Sequence, residues 1–117
     1  MCIFCKIVKG EIPSNKVLEN SDFLAFHDIS PRAPVHVLII PKKHVENFQE
    51  VDAGIMSKAT EFIQQTATTL GVGNTGYRLI TNCGKDSGQE VMHLHFHLLG
   101  GMKLAWDHKQ SDPKESF

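Results

Sequence analysis

The sequence predicts an α+β domain: a mostly antiparallel sheet of about five strands, with one main helix and a short helix packed on one face. Three observations carry this reading. Two stretches, "VHVLIIP" at 35–41 and "VMHLHFHLL" at 91–99, have strand composition, the second with strict alternation. Between about Ala53 and Leu70 the period changes, with Ile55, Ala59, Phe62, Ile63, Thr66, Ala67 and Leu70 recurring at spacings of three and four. Strands and helices do not alternate along the chain, which disfavours a parallel sheet built from βαβ units.

Taken in order, "IFCKIVKGEIP" reads as a short helical or irregular piece, stopped by Gly10 and Pro13. "KVLENSDFLAFHD" holds two strands joined by a turn at Asn20-Ser21-Asp22, residues that bond their own backbone in turns. "ISPRAP" is a proline-stopped loop, and the β-branched run after it is a central strand closed by Pro41. "HVENFQEVD" has room for a short helix. Asp52 is placed to cap the main helix, and Gly71 and Gly73 can supply a left-handed stop. "YRLITN" is the fourth strand, "CGKDSGQE" a glycine-bearing loop, and the histidine-rich run the fifth strand. The order is therefore β-β-β-α-β-β, and the polar tail after about Trp106 should end loosely.

The chain has 117 residues, enough for one domain over 1–117 and one core without disulfides. A net charge of -1 gives no basic field for nucleic acid or an anionic membrane. The longest apolar run, Val35 to Ile40, is far below the ~20 residues of a membrane span. "MCIFCKIVKG" does not resemble a signal peptide. Three cysteines, one Cys-x-x-Cys and a lone Cys83, do not make a secreted disulfide framework, so a cytoplasmic location is expected.

Seven histidines are many for this length, and three of them, His93, His95 and His97, stand at alternate positions. In a strand they share one face, about 6.5–7 Å apart, with Leu94, Phe96 and Leu98 facing the helix. Buried core histidines each need a polar partner, so three in a row are costly as mere packing. One ion is not easily reached by all three, so a division of roles is expected. The preceding loop suggests the ligand. Its glycines let backbone N–H groups approach an anion, and Asn82 and Gln89 offer amide donors. Neutral amides, backbone N–H groups and imidazoles suit one phosphate held beside a catalytic group.

"HLHFHLL" is similar to the signature of the histidine triad (HIT) family, His-φ-His-φ-His-φ-φ with φ apolar. "FLAFHDISPRAPVHVLIIPKKH" resembles that family's nucleotide-binding segment, and "GQEVMHLHFHLLGG" its catalytic segment. Trp106 resembles a tail feature of the nucleotide-binding, purine nucleoside phosphoramidase branch. The resemblance runs from about Cys2 to Trp106.

The resemblance implies a HIT-like fold and a hydrolase that cleaves the P–N bond of purine nucleoside 5'-phosphoramidates. His95 would be the nucleophile, forming a nucleotidyl-histidine. His97 would contact the phosphate and leaving-group oxygens. His36 would be a further site histidine, against a plain core role. Asp28 would accept hydrogen bonds from ribose hydroxyls. Phe26 and Ile29 would line the base pocket, with core packing the other reading, strongest for Phe26. Asn82, Gly88, Gln89 and Glu90 fall on phosphate-contacting positions. Glu90 departs from members with a hydroxyl residue there, so its backbone N–H should serve while its carboxylate turns away.

The resemblance also implies a structural zinc held by Cys2, Cys5, His44 and His93. The alternative is two buried thiols and a solvated His44. No cofactor is implied for catalysis itself. Lys42 and Lys43 read most simply as a solvated pair. Members of this branch are homodimers; Trp106 would then reach the partner's site, or else anchor the tail on its own subunit. Two other functions stay open: a dinucleoside polyphosphate hydrolase, and a nucleotide-binding interaction protein whose hydrolysis is incidental.

Overall fold

The computed structural model describes residues 2–106; the tail expected to end loosely falls mostly at 107–117, outside the described residues. Among the described residues, two α-helices and five strands follow in the order α1 (Ile3–Val8), β1 (Lys16–Glu19), β2 (Phe23–His27), β3 (Val35–Pro41), α2 (Ala53–Thr69), β4 (Tyr77–Ile80) and β5 (Phe96–Gly100), with one 3-10 turn at Lys85–Ser87. The strands form one sheet, β1-β2-β3-β5-β4, with every neighbouring pair antiparallel. The expected α+β class is what the chain adopts.

Local chemistry sets the element boundaries. Asn20 Oδ1 accepts hydrogen bonds from the N–H groups of Asp22 and Phe23, at 2.8 and 2.7 Å, and so builds the β1–β2 turn. Asp52 caps α2 by accepting from Ile55 N–H at 2.8 Å. At the other end Gly71, at φ +77°, takes the left-handed position. Val72 N–H then bonds to Ala67 C=O and Gly71 N–H to Thr68 C=O, the Schellman closure. Gly73 plays no such part, since its φ is not positive.

Residues of β2 and β3 alternate between two apolar layers. Phe23, Ala25, Val37 and Ile39 face α2, packing with Ala59, Phe62, Ile63 and Ala67 and with Leu94, Phe96 and Leu98. Phe23 and Phe62 stack with centroids 5.4 Å apart. Leu24, Phe26, Leu38 and Ile40 face the other way and are covered by Phe4 and Ile7 of α1. The short helix thus packs on the face opposite the main helix, not beside it. The reason is that "FLAF" and "VLII" are apolar without alternation, so both faces of the sheet centre need cover.

Three other expectations change. The segment 44–52 forms no helix; Asn47 Oδ1 accepts from the N–H groups of Gln49 and Glu50 and holds a turn instead. The fourth strand ends at Ile80. The fifth begins only at Phe96, so His93, at a bend, and His95 lie in the segment just before it and His97 alone is inside the strand. No helix among the described residues is long and apolar enough to cross a membrane.

The two edges of the sheet differ. On β1, Lys16 and Glu19 pair at 3.1 Å, Lys42 reaches Glu19 at 2.7 Å, and the register shifts between Lys16 and Leu18. On β4, Tyr77 and Leu79 are exposed.

Candidate active site and metal-binding cluster

The site occupies the α1 face of the sheet, where His36 of β3 and His97 of β5 stand diagonally across the ladder. His36 is opposite Leu99 and His97 opposite Leu38, so the two imidazoles share a face. His36 Nε2 lies 2.9 Å from His97 Nδ1, and both rings are buried.

The proton order along this pair follows from the backbone. Arg32 N–H donates to His36 Nδ1 at 3.0 Å, so that nitrogen must offer its lone pair. The proton of a neutral His36 then sits on Nε2 and points at His97 Nδ1. His97 in turn carries its proton on Nε2 and becomes a hydrogen-bond donor without a charge. Asp28 Oδ2 stands 3.5 Å from His36 Nε2, while its Oδ1 accepts from Ser30 N–H at 2.8 Å and fixes the loop. The ligand atoms of Asp28, His36 and His97 lie within 4.8 Å of one another. They nevertheless make a poor metal site, because His36 Nε2 holds a proton where a metal needs a lone pair.

His95 is fixed by a different carbonyl. Its Nδ1–H donates to His93 C=O at 2.8 Å, which leaves Nε2 as a free lone pair. The carbonyl of His95 itself accepts from Thr81 Oγ1–H at 2.8 Å. The His95 ring is 5.2 Å from those of His97 and Phe4, edge to face with each.

All four of His36, His93, His95 and His97 have pKa values below the ordinary range, and burial is the first cause in each. For His97, desolvation and the neighbouring rings of His95 and His36 outweigh the opposing pull of Asp28 and bring it down to about 4. At neutral pH the cluster is a set of uncharged imidazoles, the form that a nucleophile requires.

A second cluster adjoins the first. His93 is fully buried, and its Nε2–H donates to Pro41 C=O at 2.8 Å. Its Nδ1 therefore turns a lone pair toward Cys2 Sγ at 3.2 Å, Cys5 Sγ at 3.6 Å and His44 Nδ1 at 3.2 Å. Cys5 Sγ is 3.3 Å from His44 Nδ1, and all four donor atoms lie within 4.8 Å of one another. Two thiols and two imidazoles at this spacing could hold a metal ion. Burial raises the Cys5 thiol pKa, with Cys2 adding to the effect. Cys83 is exposed and outside the set.

The glycine loop is built around Gln89. Its Oε1 accepts from Gly84 N–H at 2.8 Å, and its Nε2–H2 donates to the carbonyls of Glu46 and Val91 at 2.9 and 3.0 Å. The expectation that Gln89 offers an amide to phosphate is thereby corrected: both hydrogens are engaged, and the side chain clamps the loop. Gly88 has φ +86°, a conformation open to glycine at little cost. Asn82 is half-buried just past β4, and exposed Glu90 lines a groove with Cys2, His44 and Glu46. Phe26 is a core residue against Phe4, whereas Ile29 is 98% exposed at the start of the "ISPRAP" loop. Trp106 is exposed, with the Arg78 guanidinium 5.2 Å from its ring centroid.

Sequence reasoning missed three participants. Phe4, between the two cysteines, touches both His93 and His95 at centroid distances of 5.9 and 5.2 Å. Its signal was the apolar i, i+3 pair with Ile7. Thr81 and the Arg32 N–H left no distinctive signal, since one is a single hydroxyl and the other is main chain.

Comparison with known proteins shows the family. The family description "HIT domain" matches residues 9–104. The chain belongs to the HIT family. It is 50% identical over 103 residues to an uncharacterized HIT-like protein of Helicobacter pylori, covering 88% of this chain and 99% of that one. The crystal structure of a HIT family hydrolase from Legionella pneumophila Philadelphia 1 is similar at a TM-score of 0.86 and 43% identity, over 91% of this chain and 97% of that one. A histidine triad nucleotide-binding protein from Candida albicans is similar at 0.80 and 34% identity, over 98% and 89%. This HIT protein therefore resembles a HIT family hydrolase in sequence and fold.

Proposed function

We infer that this HIT protein hydrolyses purine nucleoside 5'-phosphoramidates at the P–N bond. The observation that carries the reading is the fixed tautomer of His95: Nδ1–H on the His93 carbonyl, Nε2 free. That lone pair attacks the α-phosphorus, an N–P bond forms, and the P–N pair leaves with the amine, which takes up a proton. Water then attacks phosphorus, and the bond to His95 breaks to release the nucleoside monophosphate. His97, a donor through Nε2–H, offsets charge growing on the phosphoryl oxygens. Asp28 keeps lone pairs for ribose hydroxyls beside its bond to Ser30. Ile29, almost fully exposed, supplies an apolar edge for the purine. Asn82 and the backbone around Gly88 and Glu90 hold the phosphate.

The metal of the second cluster is zinc in this reading. Tetrahedral zinc with ordinary bond lengths sets its nitrogen ligands about 3.3 Å apart and nitrogen from sulfur about 3.5 Å. The corresponding separations here are 3.2 Å for the nitrogens and 3.2 to 3.6 Å for nitrogen to sulfur. The Pro41 carbonyl on His93 is the outer partner that metal-binding imidazoles generally have. Two thiolates of this kind suit a reducing, cytoplasmic setting. We further infer a homodimer through the β4 edge, where Tyr77, Leu79, Met102 and Trp106 are exposed.

A substrate panel of adenosine and guanosine phosphoramidates against diadenosine polyphosphates tests the activity. Faster cleavage of the phosphoramidates is expected, with loss of turnover in His95→Ala. Preference for the polyphosphates would make this a dinucleotide hydrolase. An undiminished rate in His95→Ala would overturn the mechanism.

A further inference from the structure

His93 belongs to both clusters at once. Its ring nitrogen Nδ1 is one of four donors in the Cys/His set, and its backbone carbonyl holds the Nδ1–H of His95. Phe4 joins the same two centres by another route. It sits on α1 between Cys2 and Cys5, and its ring lies edge-on to both His93 and His95. We propose that the Cys2–Cys5–His44–His93 cluster is a positioning device for the nucleophile, so that metal occupancy sets the orientation and tautomer of His95. The proposal rests on the hydrolase reading above and deepens it.

The physical argument begins with what the cluster does without a cation. His93 Nε2–H is committed to Pro41, so Nδ1 presents a lone pair. It faces His44 Nδ1 at 3.2 Å and two sulfurs within 3.6 Å. A bound cation would tie all four donor atoms to one centre; without one, only S–H and N–H hydrogen bonds join them, and Cys2, Cys5 and His44 can part from His93. Cys2 and Cys5 stand at the start of a six-residue helix whose buried side chains are Phe4 and Ile7. Movement there shifts Phe4 off the His95 ring. Movement of His93 shifts the carbonyl that keeps the proton on His95 Nδ1. Either route leaves Nε2 less often free and aimed at phosphorus. His93 and Phe4 are positioning residues in this scheme; neither touches substrate.

The test uses the full chain, zinc-loaded and stripped by chelation. Side-chain 15N shifts of the histidines report the tautomer of His95, and single-turnover transfer of a nucleotide to His95 reports the rate. Binding of AMP reports the site's affinity. Loaded protein should show one His95 tautomer, with the proton on Nδ1. Stripped protein should show a mixture, with transfer slowed on the order of tenfold or more and AMP affinity within about twofold. If the stripped chain is folded and keeps the single tautomer and full rate, the proposal is wrong. If it unfolds, Phe4→Leu decides, since it keeps all four donors. Loaded Phe4→Leu should bind zinc normally and transfer slowly, and Cys5→Ser, which weakens the cluster but keeps Phe4 and His93, should show the mixed tautomer; wild-type tautomer and rate in both would overturn the coupling. Should no nucleotide substrate be cleaved by loaded protein, the hydrolase reading fails, while the tautomer comparison still judges the coupling.

Discussion

His36 and His97 meet diagonally across β3 and β5, Nε2 to Nδ1 at 2.9 Å, and the direction of that bond is set by the Arg32 N–H on the far side of His36. A main-chain group in a proline-bounded loop thus determines which nitrogen of His97 carries the proton. His36→Phe keeps a ring in the buried position but removes both nitrogens. Its kcat should fall about tenfold, less than the 10²–10³ typical when a direct donor is removed, with little change in KM. Steady-state kinetics on an adenosine phosphoramidate would show it.

Acid should destabilise this protein through the same histidines. The folded pKa of His97 is about 4, below its ordinary 6.5. Between those values the unfolded chain binds a proton that the folded one refuses, so stability falls as pH drops from about 6.5 toward 4. The shift corresponds to about 3 kcal/mol from His97 at full loss. Urea unfolding at pH 7 and pH 4.5 should give a lower midpoint at the acid pH. His97→Asn should flatten that dependence.

Removing metal should loosen α1 before it disturbs the sheet. Cys2 and Cys5 should resist alkylation in loaded protein and react after chelation, whereas exposed Cys83 should react in both. Cys5→Ser should lower the melting temperature by roughly 5–10 °C, the effect of a loss of about 1–2 kcal/mol in a domain of this size. Mass spectrometry of labelled peptides and a thermal scan would follow the two effects.

Gln89 has three bonds to lose. Gln89→Leu leaves the carbonyls of Glu46 and Val91 and the Gly84 N–H without their present partner. The cost should be about 1–3 kcal/mol of stability. Because the clamp shapes the loop that would hold phosphate, KM should rise more than kcat falls. Gln89→Glu should not rescue it, since a carboxylate has no N–H for the two carbonyls. Denaturation curves and steady-state kinetics on the two variants would separate stability from binding.

Much of the site was legible because its chemistry is carried by side chains in a tight pattern. Alternation placed His93, His95 and His97 on one side and Leu94, Phe96 and Leu98 on the other, and this survives although the strand starts only at Phe96. Asp52 and Gly71 marked the ends of α2 because capping chemistry is local. The placement of α1 was misread, yet the unalternating runs "FLAF" and "VLII" did contain the information. They said that the sheet centre is covered on both faces. Other features were not legible in principle. The Arg32 N–H and the carbonyls of Pro41 and His93 are main-chain groups that any residue could supply. Gln89 looked like a phosphate donor because its type offers an amide; only its three-dimensional neighbours show where the amide is spent.

The unequal edges of the sheet limit how copies of this chain could add to one another. At β1 the paired charges of Lys16, Glu19 and Lys42, together with the register break, discourage a further strand. At β4 the exposed Tyr77 and Leu79 do not. Any association through strand pairing would consume the one receptive edge of each chain and leave a guarded edge at both ends. Growth would stop at a closed pair, so an outward edge that could seed filaments is absent among the described residues.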